Sequence, residues 1–241
     1  MPPYYVRRQG HFNLATGETM KNRTTGIALI VYSLLFVGLF VLEGTRESLG
    51  FIDADNPQVM MAFLAERIDI FTYTGQLYIL MGFAVAALAA DKWAKSRESS
   101  SLMVGMGAFF LPIASGLFLT NGVLRIAAPG TLLHMASYNE EWGIAGYLAV
   151  QMAGTQGLAL AGGMAMSAWA ATFSLGCIQT KNYPKFLPWL GLLGFVHILA
   201  YMFGPLLPDS LPVYPLYIIS IFGMPLWFLL LGLAELQNSR D

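Results

Sequence analysis

Six apolar stretches alternate with polar gaps along the chain, and the charged residues lie almost entirely in the gaps. A helix that crosses the ~30 Å hydrocarbon core of a bilayer needs about 20 apolar residues. Each stretch is close to that length or longer, so the pattern predicts an all-α, polytopic membrane helix bundle with six transmembrane helices. The predicted spans are Thr25–Glu43, Ile70–Ala90, Leu102–Leu124, Gly146–Leu175, Phe186–Leu206 and Val213–Ala234.

The same pattern divides the chain into three parts. Residues 1–24 are a polar N-terminal tail, residues 25–236 form the transmembrane domain, and residues 237–241 are a C-terminal tail. The first apolar run is longer than the hydrophobic region of a signal peptide, which has about 7–15 residues. We therefore expect the first span to be retained in the mature protein.

Composition agrees with a membrane protein: 56% of the residues are hydrophobic, 11% are charged, and the mean hydropathy is +0.58. Soluble domains carry about 25% charged residues. The net charge of −1 argues against nucleic acid as a partner, because nucleic-acid binders need a concentrated basic face. We expect membrane lipid as the surrounding partner, and partner subunits or a homo-oligomer stay open.

Lysines and arginines are distributed unequally between the two sides of the predicted bundle. The side with both termini and the second and fourth gaps holds ten of them, whereas the other side holds only Arg46, Arg67 and Arg125. Basic residues are concentrated on the cytoplasmic side of membrane proteins. We therefore predict cytoplasmic termini and a multi-pass protein of the cell membrane, which in a bacterium is the inner membrane.

The fourth span is longer than a bilayer crossing requires. Ile144 to Gly176 covers 33 residues, or ~50 Å of straight helix. We expect it to protrude, tilt or bend near Gly154, Gly157 or the Gly162–Gly163 pair. Small residues recur at every fourth position, which predicts a tightly packed helix at the bundle centre or an oligomerisation face. They are Ala149, Ala153, Gly157, Ala161 and Ala165.

Polar side chains are predicted to cluster at one depth, near the outer ends of the first four spans. They are Glu43, Glu47, Asp69, Tyr73, Gln76, Asn121, Arg125 and Gln151. Ionisable groups inside a bilayer are costly, so we expect them to point inward and pair, with Asp69, Glu43 or Glu47 binding Arg125. The cluster is a structural ion-pair network, a water-accessible cavity for a ligand or for acid–base chemistry, or a contact surface for a partner subunit.

The gap between the first two spans is long enough for a short helix. Its apolar residues Met60, Met61, Phe63 and Leu64 predict that it lies against lipid or closes the outer end of the bundle. A lid over the polar cluster and a buried plug are both compatible with this pattern.

No set of metal or cofactor ligands is apparent in the sequence. A membrane diiron, copper or haem enzyme needs several histidines at matching positions, whereas His197 is the only one of three histidines inside a predicted span. Its spacing from Tyr201 predicts a buried hydrogen-bonded pair, with a proton relay or a cofactor shared with another chain as the alternative. We predict no metal site and no bound cofactor.

Three segments carry a family resemblance: Arg67–Ile68–Asp69 with Gln76, Gly146–Tyr147–Leu148 with Gln151, and the sequence Tyr-Pro-Lys-Phe-Leu-Pro at 183–188. In these segments the chain resembles a broad family of uncharacterised bacterial integral membrane proteins with about six spans and no assigned activity. The likeness covers roughly residues 25–235. It implies a six-span fold and no function.

The function stays open between three classes. We favour an accessory subunit or a small-ligand-binding membrane protein, because no catalytic set of residues is apparent. The alternative is an intramembrane enzyme for a lipid or another hydrophobic substrate, with Asp69 or Glu43 as acid or base and Arg125 stabilising negative charge. A transporter comes third, because no charged residue lies at mid-depth in the predicted spans.

Overall fold

The computed structural model describes residues 15–48, 56–96, 102–180, 183–203 and 213–238, and the elements in these ranges are helices. They are α1 (Ala15–Ser48), α2 (Pro57–Glu66), α3 (Ile68–Ser96), α4 (Leu102–Tyr138), α5 (Glu140–Gln151), α6 (Leu160–Thr180), α7 (Phe186–Gly191), α8 (Leu193–Phe203) and α9 (Val213–Asn238). A π-helical segment, Met152–Ala159, joins α5 to α6. The predicted all-α class is confirmed over the described residues.

Large apolar side chains cover the outer surface of the bundle. On α1, Ile27, Val31, Leu34 and Val41 are exposed and recur at helical spacing. A continuous apolar face of this kind is unfavourable in water, whereas lipid solvates it well. The chain is therefore a helical membrane protein.

Among the described residues, five helices are long and apolar enough to cross a membrane. They correspond to five of the six predicted spans: Arg23–Leu42, Ile68–Ala94, Gly105–Tyr138, Glu140–Gln179 and Ile218–Asn238. The predicted span Phe186–Leu206 differs, because a turn at Leu192 divides it into α7 and α8. Its apolar helical part, Phe186–Ala200, is shorter than the other five. The sixth span is therefore not confirmed.

Six helices, α1, α3, α4, α6, α8 and α9, follow one another in a closed ring in which each packs against its two neighbours. Large side chains from facing helices fill the interior, among them Trp169 of α6. Tyr32 of α1 contacts Phe118 of α4 and Phe228 of α9, with ring centroids 6.1 and 4.9 Å apart. The centre of the described bundle is a packed aromatic core.

Two glycine pairs allow the closest helix crossings. A Cβ atom on Gly75 of α3 would lie 2.8 Å from the backbone oxygen of Gly122 of α4, and one on Gly122 would lie 2.6 Å from the oxygen of Gly75. Gly26 and Gly232 stand in the same relation where α1 crosses α9, at 2.8 Å in both directions. A side chain at any of these positions would push the helices apart.

Helix α4 extends beyond its predicted end at Leu124. It continues through Pro129 to Tyr138, so the segment predicted to be a loop is helical up to that residue. Asn139 then caps α5, because its side-chain oxygen accepts a hydrogen bond from the backbone N–H of Glu141 at 2.9 Å. The 37 residues of α4 span ~55 Å, so the helix is longer than the membrane core is thick.

The long fourth span is interrupted where the sequence predicts, because the π-helical segment contains Gly154 and Gly157. Its small-residue stripe, however, does not face the bundle centre. Four of the five positions are exposed and only Ala165 is buried. The prediction of a central packing face is wrong over most of the stripe, because Met166 and Trp169 make the core contacts of this helix.

Helix α2 closes one end of the bundle. Asn56 caps it by accepting hydrogen bonds from the N–H groups of Gln58 and Val59 at 3.0 and 3.4 Å, and Pro57 occupies the first turn. The four apolar residues singled out in the sequence are all buried, and α2 packs against α3, α4 and α5. This placement agrees with closure of the end of the bundle, and both a lid and a plug fit it.

Exposed aromatic side chains lie near both ends of the bundle. Tyr138 and Trp142 are exposed at the end covered by α2, which we call the Arg125 end. Trp93 and Trp189 are exposed at the opposite end, which we call the Glu235 end. Tyrosine and tryptophan are enriched at membrane–water interfaces, so their positions agree with an embedded section between the two ends.

Candidate functional site

Arg125 is buried in α4, with only 7% of its surface exposed. The close crossing at Gly75 brings α3 against this part of α4, since a Cβ atom on Gly75 would lie 3.3 Å from the Cβ atom of Arg125. The guanidinium carbon lies 5.3 Å from the centroid of the Tyr78 ring on α3. This cation–π contact stabilises the buried charge by about 0.5–2 kcal/mol. The glycine crossing therefore positions a favourable partner for Arg125.

A cavity of about 20 Å³ lies beside Arg125, between α2, α3, α4 and α5. Its wall is mainly apolar and includes Leu64, Phe71 and Leu132, and its polar groups belong to Arg125, Tyr147 and Gln151. We call this cavity the Arg125 chamber. It has room for about one water molecule, and α2 covers it with the side chain of Leu64.

The backbone is irregular on two sides of the Arg125 chamber. Pro129 of α4 lines it and has no N–H group, so it cannot donate to the carbonyl of Arg125, four residues earlier. Gly154 lines it from the π-helical segment. Irregular backbone inside a membrane is tolerated where it is buried in protein or lines a cavity, and π-helical turns occur frequently at functional sites. The Arg125 chamber thus combines a helix-interior proline and a π-helical segment in its wall.

Three residues of the predicted polar cluster come together here. Arg125 and Gln151 line the chamber, and Asn121 lies one helical turn before Arg125. The Asn121 side-chain oxygen faces Gly154, where an added Cβ atom would lie 3.0 Å from it. Asn121 is fully buried, and neither its oxygen nor its nitrogen has a hydrogen-bond partner in the described part of the chain.

Asp69 binds Arg67 instead of the predicted Arg125. Both carboxylate oxygens of Asp69 accept hydrogen bonds from the guanidinium of Arg67 at 3.2 Å, and both side chains are at least a third exposed. Arg67 stands two residues before Asp69, directly ahead of the first residue of α3, so the two side chains meet locally. Tyr73 and Gln76 are exposed as well, so this predicted stripe points away from the Arg125 chamber.

Two further residues of the predicted cluster, Glu43 and Glu47, belong to the last turns of α1. Their side chains lie outside the described residues. Their pairing with Arg125 stays a prediction.

A second polar cluster, not predicted from the sequence, lies at the Glu235 end. Glu235 is 3% exposed, and its Oε1 atom accepts hydrogen bonds from Lys92 Nζ and from the Tyr183 hydroxyl, both at 2.8 Å. The Thr25 hydroxyl donates a hydrogen bond to Asp91, which is also buried. These contacts connect α1, α3 and α9 with one another and with the segment before α7.

The chemistry of this second cluster is that of a structural contact. Burial raises the pKa of the Tyr183 phenol, and the Glu235 carboxylate raises it further, so the hydroxyl stays protonated and donates its hydrogen bond. Lys92 Nζ also lies 5.1 Å from the centroid of the Phe173 ring. The adjoining space beside Cys177 and Tyr183 cannot hold even a water molecule. The cluster therefore links helices without offering a binding cavity there.

The sequence contains a signal for this second cluster. Asp91 and Lys92 end the second apolar stretch, and Glu235 ends the last one, so acid and base stand at matching ends of two spans. Lys92 is followed closely by Lys95 and Arg97, so in the sequence it resembles the start of a basic loop.

His197 lies on α8, beside a cavity of about 30 Å³ that Ser220 of α9 also lines. The Nδ1 atom of His197 is 3.1 Å from the Ser220 hydroxyl oxygen. The side chain of Tyr201, the predicted partner, lies outside the described residues. The structure thus shows a buried, hydrogen-bonded histidine and identifies Ser220 as one partner.

The polar groups of the Arg125 chamber are suited to binding oxygen atoms of a ligand. They comprise a guanidinium, a phenol and a carboxamide, with a second carboxamide on Asn121 beside them. Among the described residues, no group of three or more histidine, cysteine or acidic side chains could hold a metal ion.

Comparison of the chain with family models, with curated proteins and with solved structures gave no match.

Proposed function

We propose that this protein is a non-catalytic membrane protein that binds a small amphipathic carboxylate in the Arg125 chamber. The observation that carries the proposal is the burial of Arg125 beside a mainly apolar cavity in a membrane-spanning helix. An arginine at the bilayer centre costs about 2.5–3.5 kcal/mol on insertion scales and less near the interface. Ionisable residues inside membrane helices are rare, and they commonly mark functional sites.

The chemistry of the chamber favours an anion with an apolar part. A guanidinium binds a carboxylate through charge-assisted hydrogen bonds, which are about twice as strong as neutral ones. Leu64, Phe71 and Leu132 provide apolar surface beside Arg125. Ligand sites are usually apolar cavities with a few convergent polar groups, and the Arg125 chamber has this composition.

Ligand entry requires a movement of α2. The chamber is about 20 Å³ in the structure, and a carboxylic acid of several carbon atoms needs more space than one water molecule. Helix α2 is a ten-residue element, and its Leu64 lines the chamber. An outward displacement of α2 would enlarge the chamber without disturbing the ring of longer helices.

The proposal includes the orientation in the cell membrane. The Lys and Arg distribution supports cytoplasmic termini, and with six spans the α7–α8 pair forms the fifth. The Arg125 end then faces the extracytoplasmic side, where a ligand arrives from outside or from the outer leaflet.

Calorimetric titration of the purified full chain with hexanoate tests the proposal. We expect Arg125→Gln to weaken hexanoate binding by about tenfold or more, because hydrogen bonds to charged groups contribute about 1.5–3 kcal/mol. Arg67→Gln is the matched control, because it removes an exposed guanidinium that pairs with Asp69. Binding of the neutral 1-hexanol should change little in either variant. Equal hexanoate affinity in the wild type and in a folded Arg125→Gln variant would exclude this function.

A further inference from the structure

Asn121 is the polar side chain beside the Arg125 chamber that the proposed function leaves unexplained. Its residue surface is 0% exposed, and its amide oxygen and nitrogen have no hydrogen-bond partner among the described residues. Most buried polar atoms in proteins are hydrogen-bonded, and each exception needs an explanation. Inside a membrane helix bundle the cost of such an amide is high, because bulk water is excluded.

The position of Asn121 connects the amide to the chamber. Asn121 and Arg125 are four residues apart on α4 and therefore share a helix face. The Asn121 oxygen lies against Gly154, which lines the chamber from the π-helical segment. Gly154 therefore contacts the Asn121 oxygen and also lines the chamber, so the amide lies next to the chamber wall.

We propose that Asn121 determines ligand specificity, and that the ligand carries a hydroxyl group next to its carboxylate, as in a 2-hydroxy acid. The inference rests on the proposed function and adds the ligand class. A carboxylate alone accepts hydrogen bonds and would leave the Asn121 oxygen without a donor. A hydroxyl group donates to that oxygen and accepts from the Asn121 nitrogen, while the carboxylate binds Arg125.

A site of this kind discriminates strongly between a ligand with the hydroxyl group and an analogue without it. A site built to hydrogen-bond a substrate hydroxyl rejects an analogue that lacks it, because the polar groups of the protein then stay buried and unpaired. An ether oxygen in place of the hydroxyl keeps the acceptor but removes the donor. Comparing a hydroxy acid with its methoxy and unsubstituted analogues therefore isolates the contact to the Asn121 oxygen.

The test is calorimetric titration of the full chain with 2-hydroxyhexanoate, 2-methoxyhexanoate and hexanoate. We expect the wild type to bind 2-hydroxyhexanoate about tenfold more tightly than either analogue. Asn121→Leu removes both hydrogen-bonding atoms and should bring the three affinities within about threefold of one another. Thr120→Ala is the matched control, because the neighbouring Thr120 hydroxyl is exposed and bonds to the Gly116 carbonyl; it should keep the wild-type preference.

Equal binding of 2-hydroxyhexanoate and hexanoate by the wild type would overturn the inference, and this comparison needs no variant. A preference that survives in Asn121→Leu would overturn it as well. If hexanoate binds through Arg125 without any gain from the hydroxyl, only the ligand class falls and the proposed function stands. If no acid binds, or binding does not depend on Arg125, both fall.

Discussion

The buried ion pair at the Glu235 end gives the sharpest stability prediction. Lys92→Met removes the ammonium and keeps most of the apolar stem, and Glu235→Gln removes the negative charge while its amide oxygen still accepts from Tyr183. The two side chains are 9% and 4% exposed, and the charged atoms are 2.8 Å apart. Each single variant thus removes one member of the pair and leaves the charge of the other in a buried site.

The expected magnitude follows from this burial. Removing one partner of a buried ion pair costs about 3–5 kcal/mol, whereas an exposed pair contributes about 0–1 kcal/mol. Glu235→Gln should fall at the lower end of that range, because the ammonium keeps its contact with the Phe173 ring. The double variant contains neither charge, so we expect it to be more stable than either single variant.

Unfolding of the full chain in mixed micelles with increasing dodecyl sulfate measures these differences. Tryptophan fluorescence is a suitable signal, because Trp169 and Trp227 are buried with ring centroids 5.7 Å apart. Asp69→Asn provides the control, since it breaks the exposed Arg67–Asp69 pair and should change stability by less than about 1 kcal/mol. Single variants that lose no more than this control, or a double variant that loses the sum of both, would refute the reasoning.

Three further predictions concern packing and topology. Gly122→Ala should destabilise the bundle by about 1–3 kcal/mol in the same unfolding assay, because its Cβ atom would meet backbone at 2.6 Å, whereas Gly116→Ala, in open space on the same helix, should be neutral. Trp227→Phe should lower the free energy of unfolding by about 1 kcal/mol or more, because it loses an indole hydrogen bond of 2.9 Å to a backbone carbonyl of α7. The same unfolding assay, with the fluorescence of the remaining tryptophans as its signal, measures this loss. Cys177 is buried, so a membrane-impermeant maleimide should not label the folded protein. Arg240→Cys in a Cys177→Ala background tests the orientation of the chain, and we expect the maleimide to label it only from the cytoplasmic side.

Much of the helical architecture follows from local sequence patterns. A lipid-embedded segment must satisfy its backbone hydrogen bonds internally, so length and apolar content suffice to identify a membrane helix. Five predicted spans agree with the structure for this reason. The predicted end of the third span at Leu124 is wrong, because α4 continues as a helix through Pro129 beside the neighbouring helices.

The candidate site was only partly predictable. Arg125, Asn121 and Gln151 were identified because polar residues in apolar stretches are conspicuous. Their neighbours depend on the rotation of each helix, which explains why Asp69 points to Arg67 instead of the chamber. The apolar lining, such as Leu64, has no sequence signal that separates it from ordinary core residues.

The sequence by itself determined that this chain is a helical membrane protein, and its apolar stretches located most of the spans. Only the tertiary structure decided which polar groups meet. Lys92 and Glu235 are separated by 143 positions yet share a hydrogen bond, and the Arg125 chamber combines residues of four helices. The physical reason is that hydrophobicity acts on each helix separately, whereas the order and rotation of the helices depend on side-chain packing between segments distant in sequence.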